Sequence, residues 1–227
     1  MPISEIDPLR ASELMRAEHA AAEIVPVVLA AGKGERLGGN KALLDLGGAP
    51  AICRILRAAA GAGLGRPVVV LGYAAERVRA TIDAKAQDFA VCCTVNPDPD
   101  RGQTSSVQCG IAALAAGAGA ALVWPVDHPL VASADVAAIA AAAAAHPAAT
   151  VVLPSHGGRA GHPVLIRRSL FPAVLALAPS SPLRDLLRGE RERTIFVELP
   201  ADSVLRDLDT PADLAAARAL LDREPPA

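Results

Sequence analysis

Aromatic side chains are nearly missing from this chain, which has one Trp, one Tyr and three Phe among 227 residues. Bases would find little to stack on. With 22 basic against 24 acidic side chains the formal charge is -2, so there is no positive field to draw a polyanion either, and nucleic acid is not expected as a partner. Cysteine is also sparse. Cys53, Cys92, Cys93 and Cys109 lack the paired C-x-x-C spacing of a zinc site, and neighbouring Cys92 and Cys93 would face opposite sides of a strand, which fits reduced, buried thiols. Residues 109–126 and 136–158 are uncharged, yet they consist mainly of Ala and Gly and are broken by Pro125, Pro147 and Pro154, so no membrane span is expected. The first residues lack the apolar core of a signal peptide, and a cytoplasmic setting follows as the expectation. Lysine occurs only at positions 33, 41 and 85, which makes two lysines in one short loop conspicuous.

Residues 1–23 mix charged and small residues and read as a helical extension, with Leu9, Leu14 and Met15 as its docking face. Residues 24–222 read as one domain, and residues 223–227 as a tail. Within the domain, apolar runs at 24–29, 67–71, 90–95, 121–126 and 150–153 alternate with helical patterns at 49–62, 74–84, 105–116 and 133–145. That alternation predicts a single doubly wound, mostly parallel α/β sheet with helices on both faces. Ser133, Asp135 and Thr210 are candidate helix caps. Beyond residue 153 strict alternation ends, and segments at 163–166, 169–176, 181–187 and 194–199 suggest inserted short strands around an acceptor pocket, before a last helix at 211–221. In such a sheet ligands bind beyond the carboxyl ends of the strands, so the chemistry is sought in the loops that follow them.

The first such loop reads Leu29-Ala30-Ala31-Gly32-Lys33-Gly34-Glu35-Arg36-Leu37-Gly38-Gly39-Asn40-Lys41. Small residues after a strand let backbone N–H groups approach phosphate oxygens, and Arg36 and Lys41 can neutralise their charge. The loop has no G-K-[ST] of a Walker motif, and a dinucleotide fingerprint would require Gly at position 37. A later loop, 96–107, carries Gly102, Ser105 and Ser106 at a helix start, where hydroxyls and free N–H groups can meet a ribose or base, or simply cap the helix. Asp127, at the tip of a strand near the phosphate loop, is placed to hold a magnesium ion together with nucleotide oxygens.

These segments resemble the L-A-A-G-x-S-x-R-[ML]-G-x-x-K signature and the following motifs of the nucleotidyltransferases that activate sugars, isoprenoid precursors and the molybdenum cofactor. Gly34 stands where many members carry serine. The N-P-x-x-x-x-G-x-x-x-S-V stretch (96–107) and the G-H-P triplet at Gly161-His162-Pro163 narrow the likeness to the molybdenum cofactor cytidylyltransferase branch of the MobA-like NTP transferases. Leu208-Asp209-Thr210-Pro211-Ala212-Asp213-Leu214 resembles the closing D-T-P-x-D motif. The resemblance runs over residues 24–222 with five motifs in order. It implies that Leu29, Ala30, Ala31, Gly32, Gly34, Lys41, Gly102, Ser105 and Ser106 bind the nucleotide and that Arg36 and Lys41 are catalytic. It further implies that Asp127 and Asp209 hold Mg²⁺, with Asp209 favoured over Asp207. His162 and Arg184 are the acceptor-side candidates, although the segment around Arg184 lacks the G-D-x-G-x-R form of many relatives, and His162 could equally be structural.

The implied reaction moves CMP from CTP onto the phosphate of molybdopterin with release of pyrophosphate. A molybdoenzyme or its chaperone is the implied downstream partner. A sugar-1-phosphate nucleotidyltransferase is the rival enzyme, since it would share the first loop and the metal aspartate. A non-catalytic nucleotide sensor would be expected to have lost Arg36, Lys41 or Asp127, and all three are present.

Overall fold

The computed structural model describes residues 23–178 and 180–223; the expected N-terminal extension up to residue 22 and residues 224–227 of the tail lie outside the described residues. Ten strands and seven α-helices are described: β1 (Glu23–Ala30), β2 (Asp45–Leu46), β3 (Ala49–Pro50), α1 (Ala51–Gly61), β4 (Val68–Leu71), α2 (Ala75–Lys85), β5 (Cys92–Val95), α3 (Gln103–Ala112), β6 (Ala118–Pro125), α4 (Ser133–Ala145), β7 (Val151–His156), β8 (Arg159–Ala160), β9 (Val164–Arg167), α5 (Phe171–Ala176), α6 (Leu183–Gly189), β10 (Thr194–Glu198) and α7 (Pro211–Leu221).

The main sheet has the order β10-β7-β9-β6-β1-β4-β5, with β8 paired to β7 at one end. β1 runs parallel to both β4 and β6, β4 parallel to β5, and β7 parallel to β10; β9 is antiparallel to β6 and β7. From β1 the chain winds outward to β4 and β5, then returns to β6 on the other side of β1. The sequence order therefore reverses between β1 and β6, and a crevice opens beyond their carboxyl ends, where ligands bind in sheets of this class.

Strand alternation divides β1 between two cores. Val28 and Ala30 join Ile52, Leu56, Leu122, Trp124 and Ile139 on the face covered by α1, α2 and α4. Val27 and Leu29 join Val107, Ile111, Val123 and Ile166 on the face covered by α3, α5 and α6. Neighbouring positions in a strand point to opposite faces, so a strand covered by helices on both faces must be apolar at every position. That is why 24–29 has no polar alternation. Among the described residues no helix is long and apolar enough to cross a membrane.

Three local expectations change. The helical pattern at 49–62 begins with a hairpin: Gly47 and Gly48, at φ 62° and 81°, turn β2 back onto β3, and α1 starts only at Ala51. Segments 169–176 and 181–187 are short helices (α5 and α6) rather than strands, while 164–167 and 194–198 are strands. Leu183, Leu186 and Leu187 show why, because their helical spacing lets all three pack on the second core. Of the expected caps, Thr210 accepts from Asp213 N, while the cap position before α4 is Ala132, whose N–H donates to Asp135.

Gly110 marks where α3 lies closest to the sheet: a Cβ there would stand 2.2 Å from Val27 Cγ1 and 3.0 Å from Val70 Cγ2. In an exposed helix, replacing Gly by Ala would stabilise by about 1 kcal/mol. Here Gly110→Ala should instead destabilise by about 1–3 kcal/mol in urea unfolding, because the helix must move off β1. A gain in stability would contradict this packing.

Candidate active site

The glycine-rich loop leaves β1 beside the last turn of β6, where Val126 N donates to Leu29 O at 3.1 Å. Gly34 takes φ 70°, and a Cβ on it would stand 2.0 Å from Gly39 O. The serine that many relatives carry has no room in this turn, which explains the departure from the signature. The loop then folds back, with Leu37 N at 3.1 Å and Gly39 N at 3.3 Å from Gly34 O.

Asn40 pins the cradle. Its Nδ2 donates to Gly32 O at 3.1 Å and to Tyr73 O at 3.0 Å, and its Oδ1 accepts from Ala42 N at 3.0 Å. This residue was not singled out in the sequence. A buried Asn as the cap before a short helical turn at Lys41–Leu43 was the available signal.

Lys41, Asp127 and Asp209 meet at one point. Lys41 Nζ donates to Asp127 Oδ2 at 3.2 Å and also to Asp209 Oδ1. Burial opposes the lysine charge, but the hydrogen bond to Asp209 and the charge of Asp127 outweigh it and raise the Lys41 pKa above its ordinary value. Two backbone devices fix the aspartates. Trp124, fully buried, donates Nε1–H to His128 O at 2.9 Å and so holds the turn that carries Asp127. Leu208 N donates to Asp127 O at 2.8 Å, which brings the closing segment against that turn and Asp209 to the lysine. Asp207 is exposed, and its charge acts on the neighbouring His128.

Asp127 retains a second carboxylate oxygen, Oδ1, that is buried without a protein hydrogen-bond partner. Among the described residues no three His, Cys, Asp or Glu side chains form a closed metal cage. A pair of carboxylates with an open oxygen fits a hard divalent cation whose other ligands are phosphate oxygens and water. The donor set is therefore suited to a nucleotide-bound metal.

A cleft of about 250 Å³ adjoins this cluster, lined by Ala31, Gly32, Gly34, Lys41, Gln103, Ser106 and Asp127 among others. A second opening, about 430 Å³, is bounded by Lys33, Glu35, Tyr73, Asp100 and Asp209. There Lys33 pairs with Asp100 at 3.0 Å and lies 4.8 Å from the Tyr73 ring centroid, and Tyr73 Oη donates to Asp100 at 2.5 Å, tying three loops at the rim.

The structure divides the other expected site residues. Leu29 lines the cleft and Ala30 is buried in the core. Both serine hydroxyls accept from Asn96 Nδ2, at 2.8 Å for Ser105 and 3.0 Å for Ser106, and Ser105 Oγ donates to Gly102 O. Ser105 thus shapes the loop, while Ser106 and the unanticipated Gln103 face the cleft. Gly102, at φ 105°, serves the same turn. The backbone of Arg36 lies in the short turn Glu35–Leu37, but its side chain lies outside the described residues.

His162 and Arg184 come together in a third cavity of about 630 Å³. The His162 ring stands 4.8 Å from that of His128, next in sequence to Asp127, which links this cavity to the carboxylates. Burial, reinforced by His128, pushes the His162 pKa down to about 4, and burial likewise lowers His128. Both imidazoles are neutral at pH 7. His162 offers an N–H rather than a positive charge.

Because the unfolded chain takes up a proton at His162 near its ordinary value of 6.5 and the folded chain only near 4, stability should fall as pH drops through that window. The decline from this group should reach about 3 kcal/mol. Urea unfolding of the protein and of His162→Gln across pH 4–7 checks this: the variant should lose the extra decline, and parallel curves would contradict it.

Residues 26–195 match the MobA-like NTP transferase domain. The Bifunctional protein GlmU of Kineococcus radiotolerans is 41% identical over 130 residues, which is 56% of this chain and 26% of that protein. The chain spans about a quarter of the length of the curated relatives it matches. Rv0371c of Mycobacterium tuberculosis H37Rv is 26% identical and superposes with a TM-score of 0.76, covering 88% of this chain and 98% of that one; that protein has also been solved in complex with manganese. Molybdopterin-guanine dinucleotide biosynthesis protein A of Archaeoglobus fulgidus, 15% identical with a TM-score of 0.63 over 88% of this chain and all of that one, shares the fold. The match over most of its length, on a sheet and glycine-rich loop of this construction, makes the chain a member of the MobA-like NTP transferase domain family of nucleotidyltransferases.

Proposed function

We propose that the protein transfers CMP from CTP onto the phosphate of molybdopterin, releasing pyrophosphate, in a cytoplasmic setting and with a molybdoenzyme or its chaperone as the recipient of the product. The observation that carries the reading is the meeting of Lys41, Asp127 and Asp209 at the mouth of the glycine-rich cradle. The choice of CTP and molybdopterin rests on the serine-valine and G-H-P segments, which resemble the cytidylyltransferase branch.

In the proposed reaction an acceptor phosphate oxygen bonds to the α-phosphorus as the bond to the bridging oxygen of the β-phosphate breaks. Two anions must meet, so the residues act by orientation and charge neutralisation, and no protein nucleophile is needed. The backbone around Gly32 and Gly34 cradles the phosphates, while the positive charges of Lys41 and Arg36 offset the charge that grows at the α-phosphorus. Asp127 and Asp209 would hold Mg²⁺, which when bound would neutralise phosphate charge and orient the triphosphate. Once nucleotide enters, Lys41 can exchange its carboxylate partners for phosphate oxygens. On the acceptor side, Arg184 supplies charge and neutral His162 a hydrogen-bond donor.

A sugar-1-phosphate acceptor is the second reading, since the phosphate loop and Asp127 serve it equally. Pyrophosphate release separates the two. Assayed with Mg²⁺, each of CTP, GTP, UTP and ATP, and either molybdopterin or a panel of sugar phosphates, release should occur with CTP and molybdopterin. Release with a sugar phosphate instead would select the second reading, and silence across the panel would end both.

Lys41→Ala should lower turnover about a hundredfold or more while far-UV circular dichroism stays unchanged, as for the loss of an oxyanion-hole donor worth about 3–4 kcal/mol. Turnover within a few fold of the parent would remove Lys41 from the catalytic role.

A further inference from the structure

Lys33 is a further cation of the glycine-rich loop, and the signature that points to Arg36 and Lys41 leaves its position open. It borders the opening of about 430 Å³, with Nζ 3.0 Å from Asp100 Oδ1 and 4.8 Å from the Tyr73 ring centroid. Hydrogen bonds to Asp100 and Tyr73 push its pKa up to about 12, so the group is a full cation at neutral pH.

This ion pair is not alone in tying the rim. Tyr73 N donates to Ala31 O at 3.1 Å, Asn40 Nδ2 to Tyr73 O at 3.0 Å, and Asn96 N to Leu71 O at 2.8 Å, so other bonds already join the loops after β1, β4 and β5. The side chains of Lys33 and Asp100 are 41% and 63% exposed, where water screens their attraction, and pairs of that kind add little to stability. A charge held by so weak a partner is readily handed to a stronger one.

There is room for such a partner beside it. The opening shares Gly32, Gly34, Lys41 and Pro99 with the cleft of about 250 Å³, so the two adjoin around Lys41. Alone the cleft falls below the roughly 300–1,000 Å³ of common ligand pockets, and with the opening it falls within them. A nucleotide with its α-phosphate near Lys41 has further phosphates to place, and the opening is where a second ammonium group stands. Ammonium is a compact point charge with three rotatable donors, suited to a change of partner, and its bond to phosphate is charge-assisted. Glu35, Asp100 and Asp209 line the same opening, so a polyphosphate would enter with its divalent ion rather than bare.

We infer that Lys33 is a phosphate-binding residue parked on Asp100, which it leaves for the β- and γ-phosphates when a nucleoside triphosphate enters. The inference rests on the transferase reading above and adds a residue to its leaving-group side.

Calorimetry on the full chain with Mg²⁺ tests it, using whichever of CTP, GTP, UTP and ATP the parent binds most tightly, together with the matching monophosphate. Lys33→Met should weaken the triphosphate at least fivefold and the monophosphate less than twofold, since the latter has nothing beyond its α-phosphate. Asp100→Asn should tighten the triphosphate at least twofold in the parent and not in Lys33→Met, where it frees no lysine. Equal weakening of both nucleotides by Lys33→Met, which loss of a merely structural tie would give, would overturn the inference and leave nucleotidyl transfer standing. Triphosphate binding indifferent to Lys33→Met would do the same, as would an equal gain from Asp100→Asn in both backgrounds, the mark of charge alone. Triphosphate binding that depends on Lys33, without pyrophosphate release in any assay, would uphold the inference and end the transferase reading. A parent chain that binds none of the four would end both.

Discussion

One ammonium group held between two carboxylates organises this molecule. Lys41 is 86 residues from Asp127 and 168 from Asp209, yet its Nζ bonds to both. Without the lysine, the two carboxylates would repel each other across a partly screened gap, since the side chains of Asp127 and Asp209 are 27% and 39% exposed. With it, the glycine-rich loop, the turn after β6 and the segment before α7 form one cluster. Such a pair contributes less to stability than a fully buried one would, because water still reaches it. Its larger consequence is geometric: a cation and two metal-competent oxygens stand together before any nucleotide arrives.

The sheet makes that meeting possible, and a few backbone bonds make it accurate. β1 and β6 lie side by side although their winding directions diverge, so Leu29 and Asp127 emerge at the same edge. Trp124 anchors the Asp127 turn from below, Leu208 N draws the last loop to Asp127 O, and Asn40 fastens the cradle to both Gly32 and Tyr73. Preorganisation of this kind spares the site the cost of assembling its charges as the reaction proceeds. The loops that carry these groups hang from a sheet that is apolar on both faces.

The parts of this arrangement that were readable in the sequence are those set by local chemistry. Apolar strands such as 24–29 announce a sheet buried on both sides, and Gly32 and Gly34 announce a tight turn after the first strand, whose use as a phosphate cradle belongs to the proposed function. Asp127 was singled out by its place at the tip of a strand and Asp209 by the closing motif. The parts that were hidden depend on distant partners. The sequence does not separate Ser105 from Ser106: Asn96 donates to both hydroxyls, but only Ser105 turns its O–H to the loop carbonyl of Gly102, while Ser106 lines the cleft. Segments 169–176 and 181–187 are too short to show a period by themselves, and their helices are fixed by leucines packing on a core made elsewhere. The role of Asn40 rests on the carbonyl of Tyr73, 33 residues away. Gly34 was noted as a departure from the signature, and its reason, the carbonyl of Gly39, became visible only with the loop folded.

Manganese binding in the presence of a non-hydrolysable CTP analogue tests the central claim most directly, because the ion's paramagnetism reports free and bound metal without turnover. If Asp127 and Asp209 hold the metal against the nucleotide, Asp127→Asn and Asp209→Asn should each weaken Mn²⁺ binding to the nucleotide-loaded protein at least tenfold, with Asp207→Asn left near the parent value. An affinity unchanged in both the Asp127 and Asp209 variants would contradict the claim that the cluster around Lys41 is a metal–nucleotide site.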